Sequence, residues 1–363
     1  MLNGAGSRPL LQVDLGRIRA NYAAIVAETR AEVAAVVKDD AYGLGLSAVS
    51  RSLYEAGCRS FFVADLSEAV ALRKILPDGS IYLFNPTSFA QMSIYIEHRL
   101  IPVCNRLDQA RGWVAVAGDL PLAIEVETGL HRFGLNYPDL RHLKQMIRRR
   151  PDLLISHLAS ADHPDAQINQ LQRNRFLAAI ELLRPERASL IASTGLGLPQ
   201  SFHFDLVRAG SLLYGLKSGR QDRVIQSVVR LTAKIINVQS VAKGEGVGYA
   251  AAFRTQRSSL IALVAIGYSH GLPFACANRL TIGLGVDRAP LVGRIAMDYV
   301  AADITDLPRN RNWLGEMVDL IHVDQTVEDI AQASHASPQE LLLRFGNQTR
   351  RIYRDERRSA QTT

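Results

Sequence analysis

The sequence predicts an α/β protein: an N-terminal (β/α)8 TIM-type barrel over residues 13–220, then a mostly-β domain over residues 221–363. Two observations carry that expectation. Through the first two-thirds of the chain, short apolar runs alternate with segments whose apolar residues recur at three- and four-residue spacing. That is the pattern of buried strands separated by helices. After about Gly219 the helical spacing stops, and β-rich runs punctuated by glycine and proline take over.

In chain order, the strand-like runs of the first part are Val33–Lys38, Phe61–Asp65, Ile81–Asn85, Ile101–Cys104, Leu122–Glu127, Leu153–Leu158, Ser189–Ser193 and Leu206–Arg208. Asp14–Glu28, Ser47–Ala56 and Leu66–Ile75 carry helical spacing. In a (β/α)8 barrel, functional side chains gather at the C-terminal ends of the strands. Lys38, Glu127, His157, Ser193 and Arg208 all fall there. In the second part, Leu231–Val238, Ser259–Ala265, Leu280–Leu284 and Met317–Val323 read as strands, and Thr326–Ser334 and Pro338–Phe345 as short helices. The tail Arg354–Thr363 is polar and expected to be disordered.

Bulk composition excludes several classes. A hydrophobic fraction of 47% is ordinary for a globular protein. No apolar run approaches the roughly 18–20 residues a membrane-spanning helix needs. Met1–Leu10 lacks a hydrophobic signal core, so a cytoplasmic protein is expected. Cys58, Cys104 and Cys276 are widely spaced, which points to buried thiols and not to a metal site or disulfide framework. The net charge of +7 rests on 36 arginines and six lysines against 35 acidic residues. The arginines are scattered. The densest cluster, Arg148-Arg149-Arg150, ends a helix-like segment, where cations suit the macrodipole. No nucleic-acid-binding module accompanies the charge.

Lys38 is the most informative residue. It ends the apolar run Val33-Ala34-Ala35-Val36-Val37 and precedes Asp39-Asp40-Ala41-Tyr42-Gly43-Leu44-Gly45. A lysine at the end of a buried strand is costly unless paired or neutralised. Desolvation lowers its pKa, and the neutral amine can then form a Schiff base. On position alone a snorkelling lysine remains the bland alternative.

The segment Val36 to Gly45 resembles the pyridoxal-phosphate signature V-V-K-A-D-A-Y-G-H-G of the alanine racemase family, with Asp39 for Ala and Leu44 for His. The resemblance extends from Leu10 to Arg354. It implies that Lys38 carries pyridoxal 5'-phosphate, that Tyr42 touches the phosphate, and that a strand at about residues 8–13 joins the C-terminal domain. Gly246-Val247-Gly248-Tyr249 is similar to the segment carrying the family's second base. This makes Lys38 and Tyr249 the catalytic pair, with Tyr249 supplied by the other subunit of a homodimer. Phe204-Asp205-Leu206-Val207-Arg208-Ala209-Gly210-Ser211 resembles D-M-V-R-P-G-I, which places Arg208 on the pyridine nitrogen. Ser193, the backbone of Gly210 and Ser211, and Tyr353 complete the phosphate anchors. His157 matches T-H-F-A-T-A-D and is expected against the cofactor, bridging Arg208 to Tyr249.

On the substrate side, Glu125-Val126-Glu127-Thr128-Gly129-Leu130-His131-Arg132 resembles K-V-D-T-G-M-G-R. Arg132 is expected to bind the substrate carboxylate. Glu125 stands where many members carry a carbamylated lysine, and it is expected to supply that negative charge directly. Gly293-Arg294-Ile295-Ala296-Met297-Asp298 resembles V-G-R-x-C-M-D, so the Met297 amide should meet the same carboxylate, supported by Asp298. Tyr268 is expected to line the entrance. The leading expectation is a two-base racemase of alanine or another small amino acid. The alternatives are racemisation of a different substrate such as serine, a pyridoxal-phosphate-dependent decarboxylase on the same scaffold, and a non-catalytic cofactor carrier.

Overall fold

The structure, a computed structural model, describes residues 8–85, 91–117, 119–217, 225–308 and 311–355. The chain divides into two compact units. A barrel unit comprises Arg17–Ala41 and Gly45–Gln226. A β unit holds the described residues up to Gly16, the short stretch Tyr42–Leu44, and the chain from Ser227 onward.

Counting β1 as Leu10–Asp14, the barrel strands are β2 (Glu32–Val36), β3 (Ser60–Val63), β4 (Ser80–Leu83), β5 (Leu100–Cys104), β6 (Ala123–Glu125), β7 (Leu153–Ile155), β8 (Ala188–Ser189) and β9 (Leu206–Ala209). They pair in parallel in the order β8-β7-β6-β5-β4-β3-β2-β9. The two ends of that order meet where Ala192 bridges Arg208, with the Arg208 N–H donating to the Ile191 carbonyl at 3.2 Å. This is the barrel expected from the alternating pattern. Its strands are almost wholly buried, which explains why they read as continuous apolar runs and not as alternating ones. Helix starts follow capping chemistry. Asp65 accepts from the Glu68 N–H, and Asn136 accepts from the Asp139 N–H with Pro138 in the first turn.

Several strands end sooner than their apolar runs. The regular strands end at Val36, Glu125, Ile155 and Ser189. Lys38, Glu127 and His157 therefore each lie two residues past a strand, and Ser193 opens a 3-10 turn, Ser193–Gly197. Burial continues beyond the hydrogen-bonded ladder, so hydrophobicity alone overextends the strands.

The β unit is built on the 13-residue strand β10 (Val229–Val241). Its other strands are β11 (Gly246–Val247), β12 (Phe253–Arg254), β13 (Ser259–Val264), β14 (Thr281–Leu284), β15 (Asp287–Val292), β16 (Val300–Asp303), β17 (Met317–Ile321) and β18 (Arg350–Arg354). The main sheet runs β13-β16-β15-β14-β17-β10-β1-β18, and β13 also pairs with β10. The N-terminal strand β1 lies antiparallel to β10 and parallel to β18. Thr326 and Ser337 cap the helices Val327–Ser334 and Pro338–Gln348. Gly43 also belongs to this unit. Its φ is +82°, its carbonyl accepts from Arg351 Nη1 at 2.8 Å, and a Cβ placed on Gly346 would lie 2.0 Å from its carbonyl oxygen. Gly43 thus makes a close backbone-to-backbone approach to the helix Pro338–Gln348.

Arg354 is the last residue of β18, so the polar tail begins later than expected; residues 356–363 lie outside the described residues. So do residues 1–7 and the expected domain boundary within 218–224. Among the described residues no helix is long and apolar enough to cross a membrane, and no His, Cys, Asp or Glu cluster could hold a metal. The three cysteines are free and buried; burial pushes the Cys58 and Cys104 thiols up to about 12.

Candidate active site

The Lys38 side chain is 41% exposed, and its Nζ lies 3.8 Å from the Asp39 carboxylate. The expectation of a desolvated strand-end lysine is corrected here: the strand ends two residues earlier, and the amine projects beyond it. The backbone that follows is left-handed, with φ between 54° and 57° at Asp39, Asp40, Ala41 and Tyr42. Such a conformation costs roughly 1–2 kcal/mol per residue for L-amino acids. Hydrogen bonds hold it. Ala41 N–H donates to Val37 O at 2.9 Å, Gly45 N–H to Asp40 O at 2.8 Å, and Leu46 N–H to Asp40 Oδ1 at 2.7 Å. The Glu68 carboxylate accepts from Asp40 N–H at 2.8 Å and from Ala64 N–H at 3.0 Å. Sequence reasoning missed Glu68, which reads as an ordinary helix-face carboxylate until β3 is placed beside β2.

Arg208, on β9 opposite Ala34, is buried. Its Nη1 donates to the Ser189 carbonyl at 2.8 Å and to Ser189 Oγ at 2.6 Å, while Nη2 donates to the carbonyls of Ser156 and Leu190. Among the described residues, nothing accepts from its Nε–H. Burial pulls its pKa down to about 10, with Glu125 opposing that pull, so the group stays charged at neutral pH. Among the described residues no hydrogen bond links Arg208 to His157, and the Arg208 Nη groups are taken up by the Ser189, Ser156 and Leu190 carbonyls. The His157 carbonyl accepts from Gln172 Nε2 at 2.9 Å. Its imidazole is pushed down to about 3 by burial and then by the nearby Arg208, Arg132 and Lys38, and is therefore neutral.

Glu125 ends β6 and is buried, with Oε1 3.8 Å from Arg132 Nη2. Burial raises its pKa, and Arg132 and Arg208 oppose the rise. Arg132 itself is 52% exposed. The loop that carries it is braced by Glu127, whose carboxylate accepts from the Gly129 and His131 N–H groups. It is braced again by Thr128, whose hydroxyl meets Ser156 Oγ at 2.8 Å. Ser193 Oγ accepts from the Gly210 N–H at 2.8 Å and, more weakly, from the Leu212 N–H at 3.4 Å. The Gly210 amide is thus engaged by Ser193, whose hydroxyl keeps its own proton to donate. Ser211 opens the 3-10 turn Ser211–Tyr214. Arg208, Arg132 and Lys38 all act on the His157 imidazole, and the first two also face the Glu125 carboxylate.

The remaining candidates belong to the β unit. Tyr249 stands on the 3-10 turn Tyr249–Ala251 and is 63% exposed. Its charge acts on the Tyr299 phenol, a second residue sequence reasoning missed, and raises that phenol above its ordinary value. Tyr268 opens the turn Tyr268–His270, and its N–H donates to Ala296 O at 3.1 Å. Ser269 gathers the neighbouring loop. Its N–H and hydroxyl donate to the Met297 carbonyl at 3.0 and 2.8 Å, and its hydroxyl also reaches Asp298 Oδ1 at 2.9 Å. Tyr268, Met297 and Asp298 are thereby brought together. Tyr353 lies on β18 beside Val13, and Tyr42 closes the left-handed turn.

Against this geometry, residues 13–218 match the model of the alanine racemase N-terminal domain, and residues 228–353 match that of the C-terminal domain. The chain belongs to the alanine racemase family. It is 44% identical over 351 residues to the biosynthetic alanine racemase of Mesorhizobium japonicum, covering 95% of this chain and 88% of that protein. It is 37% identical over 370 residues to the alanine racemase of Brucella abortus, covering 95% and 93%. Among solved structures, alanine racemase from Bartonella henselae with covalently bound pyridoxal phosphate superposes with a TM-score of 0.88 at 31% identity, covering 96% of this chain and all of that one. The biosynthetic alanine racemase of Pseudomonas aeruginosa gives 0.87 at 29%.

Proposed function

We propose that this chain is a pyridoxal-phosphate-dependent amino-acid racemase, acting on alanine or another small amino acid by a two-base mechanism of Lys38 and Tyr249. The observation that carries this reading is the setting of Arg208. Its Nη groups are fixed by barrel carbonyls, its Nε–H is left to donate, and the Lys38 amine acts on the same His157 imidazole. That donor set fits pyridoxal phosphate. Arg208 would hold the ring nitrogen, Lys38 the aldehyde carbon, and the Ser193 hydroxyl, the Ser211 backbone, Tyr42 and Tyr353 the phosphate, with His157 against the ring. The cofactor bound in the Bartonella henselae structure supports the assignment.

When bound, the cofactor draws electron density from the substrate Cα and makes the α-proton acidic. A guanidinium that keeps its proton leaves the ring nitrogen unprotonated, which moderates that pull and disfavours side reactions. Lys38 Nζ takes the α-proton of the D isomer, and the Tyr249 hydroxyl oxygen takes that of the L isomer from the opposite face. Each returns a proton in the reverse direction. Arg132 and the Met297 amide hold the substrate carboxylate, Glu125 orients Arg132, and Tyr268 and Asp298 line the approach. Tyr249 acts on the site of the partner subunit, so the working unit is a cytoplasmic homodimer.

Relatives named as alanine racemases favour this chemistry over decarboxylation. The test is a panel of L-amino acids incubated in D2O with the cofactor-loaded protein, followed by NMR. Alanine or a close analogue should lose its α-proton signal and its optical rotation without release of CO2. Release of CO2, or no exchange with any amino acid, rejects the reading. Replacing Tyr249 with Phe should slow exchange of the L α-hydrogen by about 10²–10⁴-fold, the range for losing a positioned acid–base group.

A further inference from the structure

We infer that Gln172 is a positioning residue for Arg132: its side-chain amide fastens the loop that carries Arg132 to the helix Gln167–Leu183 and to the backbone around His157. This role deepens the racemase reading and rests on it, through the proposed hold of Arg132 on the substrate carboxylate. Gln172 is fully buried in the barrel unit. Its Nε2 donates to Thr128 Oγ1 at 3.1 Å and to the His157 carbonyl at 2.9 Å, and its Oε1 accepts from the Ala159 N–H at 2.8 Å. One amide therefore joins the segments that leave the paired strands β6 and β7.

Counting protons fixes the direction of these bonds. Ser156 Oγ donates its only proton to the Val126 carbonyl at 2.8 Å. The Thr128 hydroxyl, 2.8 Å from Ser156 Oγ, must then donate to it, and its oxygen is left to accept from Gln172. The run from Gln172 through Thr128 and Ser156 to Val126 has a single sense and is buried throughout. A buried run whose donors all find acceptors is rigid. Packing fastens the loop at the same place. Arg175, on the same helix, donates from Nη1 to the Thr128 carbonyl at 2.9 Å. At Gly129 φ is +140°, and a Cβ there would lie 3.3 Å from Gln172 Cγ. The base of the loop is closed separately: the Leu135 N–H donates to the Glu125 carbonyl at 2.8 Å, and the Glu127 N–H to the Leu135 carbonyl at 3.1 Å. Arg132 is half exposed and 3.8 Å from Glu125, too far for a hydrogen bond, so its guanidinium inherits its aim from this fastened backbone.

The test is a double-mutant cycle on the holoenzyme. Replacing Gln172 with Met keeps the length of the side chain and removes its amide. The variant should lower kcat/KM for alanine by about 2- to 30-fold, the range for residues that act on a ligand through others. The loss should fall in KM with kcat little changed, as for weakened uniform binding. In an Arg132→Gln background the same replacement should change kcat/KM by less than about twofold, because the group it positions is gone. Replacing Thr128 with Val, which removes the acceptor, should reproduce the pattern. A second measurement needs no turnover: deuterium uptake by the peptide spanning residues 126–135 should rise in Gln172→Met. An equal loss of kcat/KM with and without Arg132, or unchanged uptake, overturns the inference while the parent's racemisation keeps the racemase reading. A parent that racemises no amino acid removes that reading and, with it, the role of Arg132 on which the inference stands.

Discussion

The candidate residues of the barrel unit and those of the β unit are held differently. In the barrel, Arg208 and Glu125 are buried, and charges and carbonyls of neighbouring strands hold them. In the β unit, Tyr249, Tyr268 and Met297 stand on turns or loops and are exposed. A buried charge must satisfy its partners inside the protein, so the barrel half is pre-organised before any ligand arrives. An exposed phenol has no such constraint. It acquires a defined position only from a surface that covers it, which the proposed second subunit would supply.

Lys38 crosses this division, being a barrel residue that is nonetheless half exposed, and it gives the largest expected effect. Replacing Lys38 with Ala should reduce racemisation by at least about 10⁴-fold, since it removes both the group proposed to hold the cofactor and a proposed base. The melting temperature of the cofactor-free protein should barely change. Turnover together with cofactor retention on gel filtration checks both halves of this statement. Activity within tenfold of the parent would mean that another amine does the work.

Arg208 tests the locked half directly. Replacing it with Gln leaves the Ser189 and Ser156 carbonyls short of donors and removes the cation facing Glu125. Breaking a buried charged arrangement from one side costs about 3–5 kcal/mol. Urea unfolding should show that loss, whereas Tyr249→Phe should stay within about 0.5 kcal/mol of the parent, as exposed substitutions do. Equal losses would erase the contrast between the halves. Glu68 ranks next. Its replacement by Ala strips acceptors from the Asp40 and Ala64 amides, at about 1–3 kcal/mol for each donor left unsatisfied. Because Asp40 lies in the left-handed turn after Lys38, the loss should appear both in unfolding and as weaker cofactor retention. A variant with parental cofactor retention would show that the turn holds without the carboxylate.

The same division explains what could be read from the sequence. Buried parallel strands are nearly continuous in apolar residues, so the barrel and the places of Lys38, His157 and Arg208 near strand ends were legible. The exact strand ends were not, because hydrophobicity outlasts the ladder at Val36, Glu125, Ile155 and Ser189. Nor was the link between Arg208 and Ser156, residues 52 apart that meet only when the barrel closes. Tyr249, Arg132 and Met297 were found through motif resemblance, since turns leave little periodicity to read. Glu68 had no such signal, because it acts through a neighbouring strand. Glu125 was legible as a position but not as a balance of burial against two cations.

That balance yields the smallest predicted effect and the finest probe of the locked half. Burial holds the Glu125 carboxyl above the ordinary glutamate value of 4.5, and Arg132 and Arg208 only partly oppose it. A folded-state value above the unfolded one favours the protonated form on folding. The stability this gives is complete below the unfolded value and is lost as pH rises through the folded one. Replacing Glu125 with Gln removes that titration, so the variant should gain on the parent as pH is raised from about 4 to 7. Its Arg132, half exposed and screened by solvent, loses an ion pair of about 0.2–1 kcal/mol, which corresponds to a rise in KM of roughly 1.4- to 5-fold with little change in kcat. Unfolding free energies across that pH range, set beside the KM values, separate the two effects. If the parent gains on the variant as pH rises, the two arginines outweigh burial, and the carboxylate in the barrel is a net stabilising charge.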